Sequence, residues 1–178
     1  MKSNIKKLTY TAVFIAIGIL LPLAAHLVAA GPVLLPMHIP VLLCGLLCGT
    51  PYGAFCGFIV PFISSIATGM PNLFPTAVAM SLELMTYGIL SGLLYQRLRW
   101  NIYPALIVSM LAGRAVSGIV NALLLGFTGG EYSLAIFLTT SFVTGLPGIV
   151  IQIVLIPCVV FLVRKVAPSP AGLRSSHD

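Results

Sequence analysis

From Leu8 to Val163 this chain carries only five charged side chains: Glu83, Arg97, Arg99, Arg114 and Glu131. No water-soluble fold can be covered with so little ionic surface. Charged residues make up 7% of the 178, against ~25% in ordinary globular domains. Hydrophobic residues make up 59%, against ~45–50% even when glycine is counted. A soluble enzyme, a nucleic-acid-binding domain and a disordered chain are excluded. What remains is an all-α integral membrane protein of one compact unit.

The apolar runs divide into spans at Gly and Pro clusters. Leu8 to Ala30 reads as a first transmembrane helix. No small-residue cleavage site ends it, so it is expected to stay in the mature protein. Gly31-Pro32 breaks it. His38 to Ala67 is largely apolar but is interrupted by Gly49-Thr50-Pro51-Tyr52-Gly53. That turn chemistry predicts a tight hairpin of two helices, the first short against the ~20 residues of a full crossing. A fourth helix is expected from Pro75 to Tyr95 and a fifth from Tyr103 to Phe127. Gly145-Leu146-Pro147-Gly148 divides the last stretch into a lid-like or interfacial helix, Leu134–Thr144, and a sixth span, Pro147–Val163. Residues 1–166 then form a six-helix domain, and 167–178 a disordered cytoplasmic tail.

The charges set the orientation. Lys2, Lys6 and Lys7 place the N-terminus in the cytoplasm. With six spans, Arg97, Arg99, Arg164, Lys165 and Arg174 fall on that same side. The three opposite loops, Gly31–Met37, Gly69–Phe74 and Thr128–Ser133, contain no Lys or Arg. With five spans Arg97 and Arg99 would lie outside. Six helices with both termini cytoplasmic is therefore the expected topology, in the cell membrane.

Chemistry-bearing motifs are scarce. No serine, zinc or paired-aspartate hydrolase pattern is present, and no Walker A sequence. No enzyme, catalytic residue, metal or cofactor is expected, and any ATP would be hydrolysed elsewhere. Cys44, Cys48, Cys56 and Cys158 read as small packing residues rather than metal ligands. His26 and His38 read as interfacial histidines at the outer ends of the first two spans.

Two charges lie deep in the spans. Glu83 sits roughly 12 Å, about two turns, inside the outer end of the fourth helix, and Arg114 near the middle of the fifth. An intramembrane charge costs at least ~2.5–3.5 kcal/mol and is by default a functional hypothesis. Tyr87 shares a face with Glu83, and Ser117 and Asn121 share one with Arg114. Asn72, and Tyr132 opposite it, fall at the outer mouth of this polar column. Gln152 lies on the sixth span. Glu83 and Arg114 are read either as an ion pair locking two helices or as a substrate pocket with an acceptor-binding Arg114 and a donor-binding Glu83. Gln152 is either part of that pocket or polar glue between helices. Ala12 and Ala16 in the first helix, four apart, permit close helix approach.

The order of several pieces resembles the substrate-binding (S) component of energy-coupling-factor (ECF) vitamin transporters. The pieces are the basic N-terminus, Ala12-x-x-x-Ala16, Met37-His38-Ile39-Pro40 running through to Gly49, Tyr52-Gly53, Gly57, Leu146-Pro147-Gly148 and Ile156-Pro157. The resemblance spans the chain to about Val166. It implies six helices with cytoplasmic termini, in agreement with the charge count. It implies a vitamin-like substrate held near the extracellular side, at positions that here are Glu83, Tyr87, Arg114, Asn121 and Asn72. It implies docking through Ala12 and Ala16 onto a transmembrane scaffold that carries two ABC ATPase subunits. Arg114 points to a carboxylate or acceptor-rich ligand such as pantothenate or a folate. Glu83 points to a donor such as an amine, a pyrimidine or a queuosine precursor, and cobalamin stays open. The alternative is a stand-alone secondary carrier or channel for a small polar solute, with Glu83 as its proton-coupling group.

Overall fold

The structure, a computed structural model, describes residues 2–27, 35–127 and 145–166 and the single positions 137, 139 and 143. Six helices account for nearly all of them: α1 (Lys2–Leu27), α2 (His38–Cys48), α3 (Thr50–Thr68), α4 (Val78–Gly92), α5 (Ile102–Phe127) and α6 (Leu146–Val166). In lipid every backbone polar group must be satisfied within the protein, and a helix does this without any partner. Single wider turns, Leu73–Ala77 and Leu93–Arg97, extend α4 at its two ends.

Five of these segments are long and apolar enough to cross a membrane, and α2 is shorter, at 11 residues. The expected hairpin is present. Gly49 alone separates α2 from α3, at φ 103°, a conformation that side chains with a Cβ rarely adopt. Pro51 follows in the first turn of α3, where a missing N–H costs no hydrogen bond. At ~1.5 Å per residue α2 spans roughly half of a ~30 Å hydrocarbon core. Its burial explains how so short a helix is kept. All of its residues except Ile39 are buried, because α1, α3, α4 and α6 surround it.

The other central element is α4, packed against α2, α3 and α5. Here glycine allows backbone contact. A Cβ on Gly53 of α3 would lie 2.6 Å from the carbonyl oxygen of Gly88 on α4, and a Cβ on Gly88 would run into the backbone of Gly53. The main apolar core lies between these helices, around Leu42, Leu46, Val60, Leu84, Leu106 and Ile156. α1 is peripheral. Thr11, Gly18, Pro22 and Ala25 make its buried stripe.

The ends of the bundle differ in charge. Lys7 Nζ lies 5.9 Å from the centre of the Tyr52 ring, beside the hairpin turn. The Arg164 guanidinium lies 4.8 Å from the Tyr95 ring. Gln96 Nε2 donates to Leu46 O at 2.9 Å. Lys7, the turn, the Arg97 end of α4 and Arg164 therefore share one end, which the positive-inside rule assigns to the cytoplasm. Two expectations need correction. Cys44, Cys48 and Cys56 are buried packing residues, but Cys158 faces outward. His38 is not interfacial: it is 2% exposed, because α2 starts well inside the bundle. The lid-like helix expected at Leu134–Thr144 lies almost wholly outside the described residues, as do Tyr132 and the tail.

Candidate functional site

Glu83 projects from the middle of α4 and is 3% exposed. One of its oxygens, Oε1, meets three side chains. Tyr87, one turn further along α4, donates its hydroxyl to it at 2.9 Å. His38 Nε2, from the first turn of α2, stands 3.5 Å away. Arg114 Nε, from α5, also stands 3.5 Å away. The last two are ion-pair distances without hydrogen-bond geometry, and both nitrogens are buried with no hydrogen bond. The His38 and Tyr87 rings lie 5.3 Å apart, tilted by 54°.

Small residues make this convergence possible. The Tyr87 ring occupies the space that a side chain on Gly113 would need. Gly113 thus lets α4 and α5 close enough for Arg114 to reach Glu83. In this poorly screened interior the pair attracts strongly, but each ion has also lost its hydration. The Tyr87 hydroxyl returns part of that loss to the carboxylate.

Toward the end opposite the basic residues the cluster meets a cavity of about 440 Å³. His38 is the link, since it both lines the cavity and touches Glu83. Met37, Met70 and Met80 form much of the wall, and Asn72 and Thr76 bring polar groups to it. Among the described lining residues none is Asp, Glu, Lys or Arg. No group of three metal-ligating side chains occurs among the described residues.

The expected site residues are thus sorted. Glu83, Tyr87 and Arg114 come together. Asn72 is exposed and lines the cavity. Asn121 is half-buried and turns back on its own helix, donating to Ser117 O at 2.8 Å. Gln152 is 1% exposed, and neither atom of its amide has a hydrogen-bond partner. Among the described residues no hydrogen bond joins it to Glu83. His38 is the residue that sequence reasoning missed. The signal that could have found it is the shortness of the first hairpin arm, which carries its first residue inward.

The family model for the ECF transporter substrate-specific component matches residues 6–160. The chain belongs to this family. No curated protein and no solved structure matches it. It is a multi-pass membrane protein and a substrate-specific transporter component, a binding subunit rather than an ATPase. On this S component Ala12 and Ala16 both lie exposed on α1, away from the buried stripe of that helix.

Proposed function

We propose that this S component captures a small vitamin-like molecule from outside a prokaryotic-type plasma membrane and releases it to the cytoplasm as part of an ECF-type ABC importer. The observation that carries this reading is the cavity at the end opposite the basic residues, floored by His38 on the buried Glu83–Arg114–Tyr87 cluster. A polar cluster under a largely apolar cavity is the usual composition of a small-molecule site. Asn72 and His38 are the residues placed to touch substrate. Glu83, Tyr87 and Arg114 hold His38 and couple α2, α4 and α5. Asn121 and Gln152 are the outlying candidates on α5 and α6.

Transport would need partners. The exposed Ala12/Ala16 strip supports docking on a transmembrane scaffold that carries two ABC ATPases, since small residues let a second helix approach closely. The test is recovery of the tagged protein from its native membranes in mild detergent, with mass spectrometry of co-purifying proteins and released small molecules. A scaffold with two ATPases is the expected result. Recovery of the chain alone, repeated after cross-linking, would overturn the importer reading in favour of a solitary carrier.

A further inference from the structure

We infer that the cytoplasmic ends of α4 and α6 dock an anionic phospholipid, with its phosphate among Arg97, Arg99, Arg164 and Lys165 and its upper acyl chains against Leu98 and Trp100. This surface lies at the opposite end of the bundle from the cavity and does not rest on the importer reading.

The backbone brings the first part together. The wide turn Leu93–Arg97 closes at Leu98, whose N–H donates to Leu93 O at 2.9 Å. Arg99 follows at φ 57°, in the left-handed region. It turns the chain back, so that the Trp100 N–H donates to Leu94 O at 2.9 Å. A helix often ends on such a left-handed residue, with a late N–H returned to a carbonyl of the last turn. Trp100 is thereby tied to the end of α4 instead of standing out on a loop.

The neighbouring helix end supplies the second part. Tyr95, next to Leu94, carries the Arg164 guanidinium 4.8 Å from its ring centre. Arg164 is thus held beside the same turn, and Lys165 follows it in the last turn of α6. Arg164 Nε is buried without a hydrogen bond.

The charges here are unbalanced. Among the described residues both ion pairs are made by Glu83, in the interior. Arg97, Arg99, Arg164 and Lys165 therefore have no carboxylate partner among those residues. A lipid phosphate supplies the missing anion, and guanidinium groups match its oxygens with paired hydrogen bonds.

The surroundings favour a lipid over an acidic protein. Leu98 is 53% and Trp100 43% exposed, one on either side of Arg99. Aromatic side chains alternating with arginine fit the membrane–water boundary, where tryptophan is enriched. A phospholipid covers both kinds of group at once, while an acidic protein surface would satisfy only the cations. The cytoplasmic leaflet is also the one rich in anionic lipids.

Trp100 is the single tryptophan of the chain, so its fluorescence reports this surface alone. The test places the full chain in vesicles of dioleoyl-phosphatidylcholine and dioleoyl-phosphatidylglycerol in equal amounts. One lipid or the other is brominated near the top of its acyl chains, and bromine quenches tryptophan only at close range. Both leaflets have the same composition, so the direction of insertion does not matter. Brominated phosphatidylglycerol should quench more than brominated phosphatidylcholine. The relative binding constant should be about fivefold or more, roughly the worth of one basic side chain at an anionic surface. Arg164→Gln with Lys165→Gln should bring the ratio toward one. So should Arg97→Gln with Arg99→Asn, in which asparagine tolerates the left-handed turn. Should one pair of substitutions fail to fold, the other reads the same effect. The inference is overturned if the two lipids quench equally in the unsubstituted protein, which would leave the cations to an acidic cytoplasmic protein. It is equally overturned if the preference survives both pairs of substitutions.

Discussion

His38 Nε2 and Glu83 Oε1 lie 3.5 Å apart because α2 is only 11 residues long. A full-length span would begin near the membrane surface and carry its first residue out of reach of the middle of α4. The truncated helix instead delivers a histidine to the depth of an intramembrane carboxylate. The same residue also lines the cavity, and its backbone N–H donates to Leu35 O at 3.1 Å.

Removing one member of the Glu83–Arg114 pair should be worse than removing both. Breaking a buried pair costs about 3–5 kcal/mol because the remaining ion is uncompensated. Glu83→Ala should therefore lower the thermal midpoint in detergent strongly, and Glu83→Ala with Arg114→Ala should recover part of the loss. A double variant whose loss equals the sum of the Glu83→Ala and Arg114→Ala losses would show that the two charges are not coupled.

Gln152→Leu should leave stability unchanged or raise it. An unsatisfied buried polar group costs about 1–3 kcal/mol, and leucine is of similar size without that cost. If Gln152 meets substrate, the same variant binds it more weakly while melting higher. A lower melting temperature would mean that the amide is paired in the folded protein.

The contact between α3 and α4 should not tolerate a side chain at Gly88. Any Cβ there meets the backbone of Gly53, and backbone cannot move aside as a flexible side chain can. Overpacking typically costs about 1–3 kcal/mol, and more where the obstacle is rigid. Gly88→Val should abolish the monodisperse peak in size-exclusion chromatography. A normal peak would show that α3 and α4 can separate at little cost.

Ala12 and Ala16 should be silent for folding and decisive for assembly. Both are exposed, and exposed substitutions usually change stability by no more than ~0.5 kcal/mol. Ala16→Trp should keep the melting temperature and the affinity for the small molecule released from native preparations, yet lose the scaffold in pull-downs. Undiminished scaffold recovery would move the docking surface elsewhere.

The parts of this fold that were legible beforehand are those that local chemistry decides. Apolar runs, the Gly49 break and the placement of Lys and Arg suffice for six helices and their orientation. The i, i+4 spacing of Glu83 and Tyr87 made their shared face readable, and the hydroxyl does bond the carboxylate. The depth of His38 was not legible, because it follows from packing α2 inside a ring of four helices. Asn121 shared the face of Arg114 as expected, but local spacing could not tell that its amide would bond to Ser117 on its own helix. That Cys158 points outward while the other three cysteines point inward depends on which flank of α6 the bundle covers.

The left-handed turn at Gly49 also bears on how the chain enters the bilayer. α2, at 11 residues, is too short to cross by itself, so α2 and α3 make one crossing and return only as a hairpin. Whether the segment His38–Thr68 counts as one passage or two then rests on a single backbone conformation. Straightened into one rod, it would deliver Arg97 and Arg99 to the wrong side of the membrane. It would also place every later helix upside down. The orientation of the second half of this protein thus follows from the backbone reversal at one residue with no side chain.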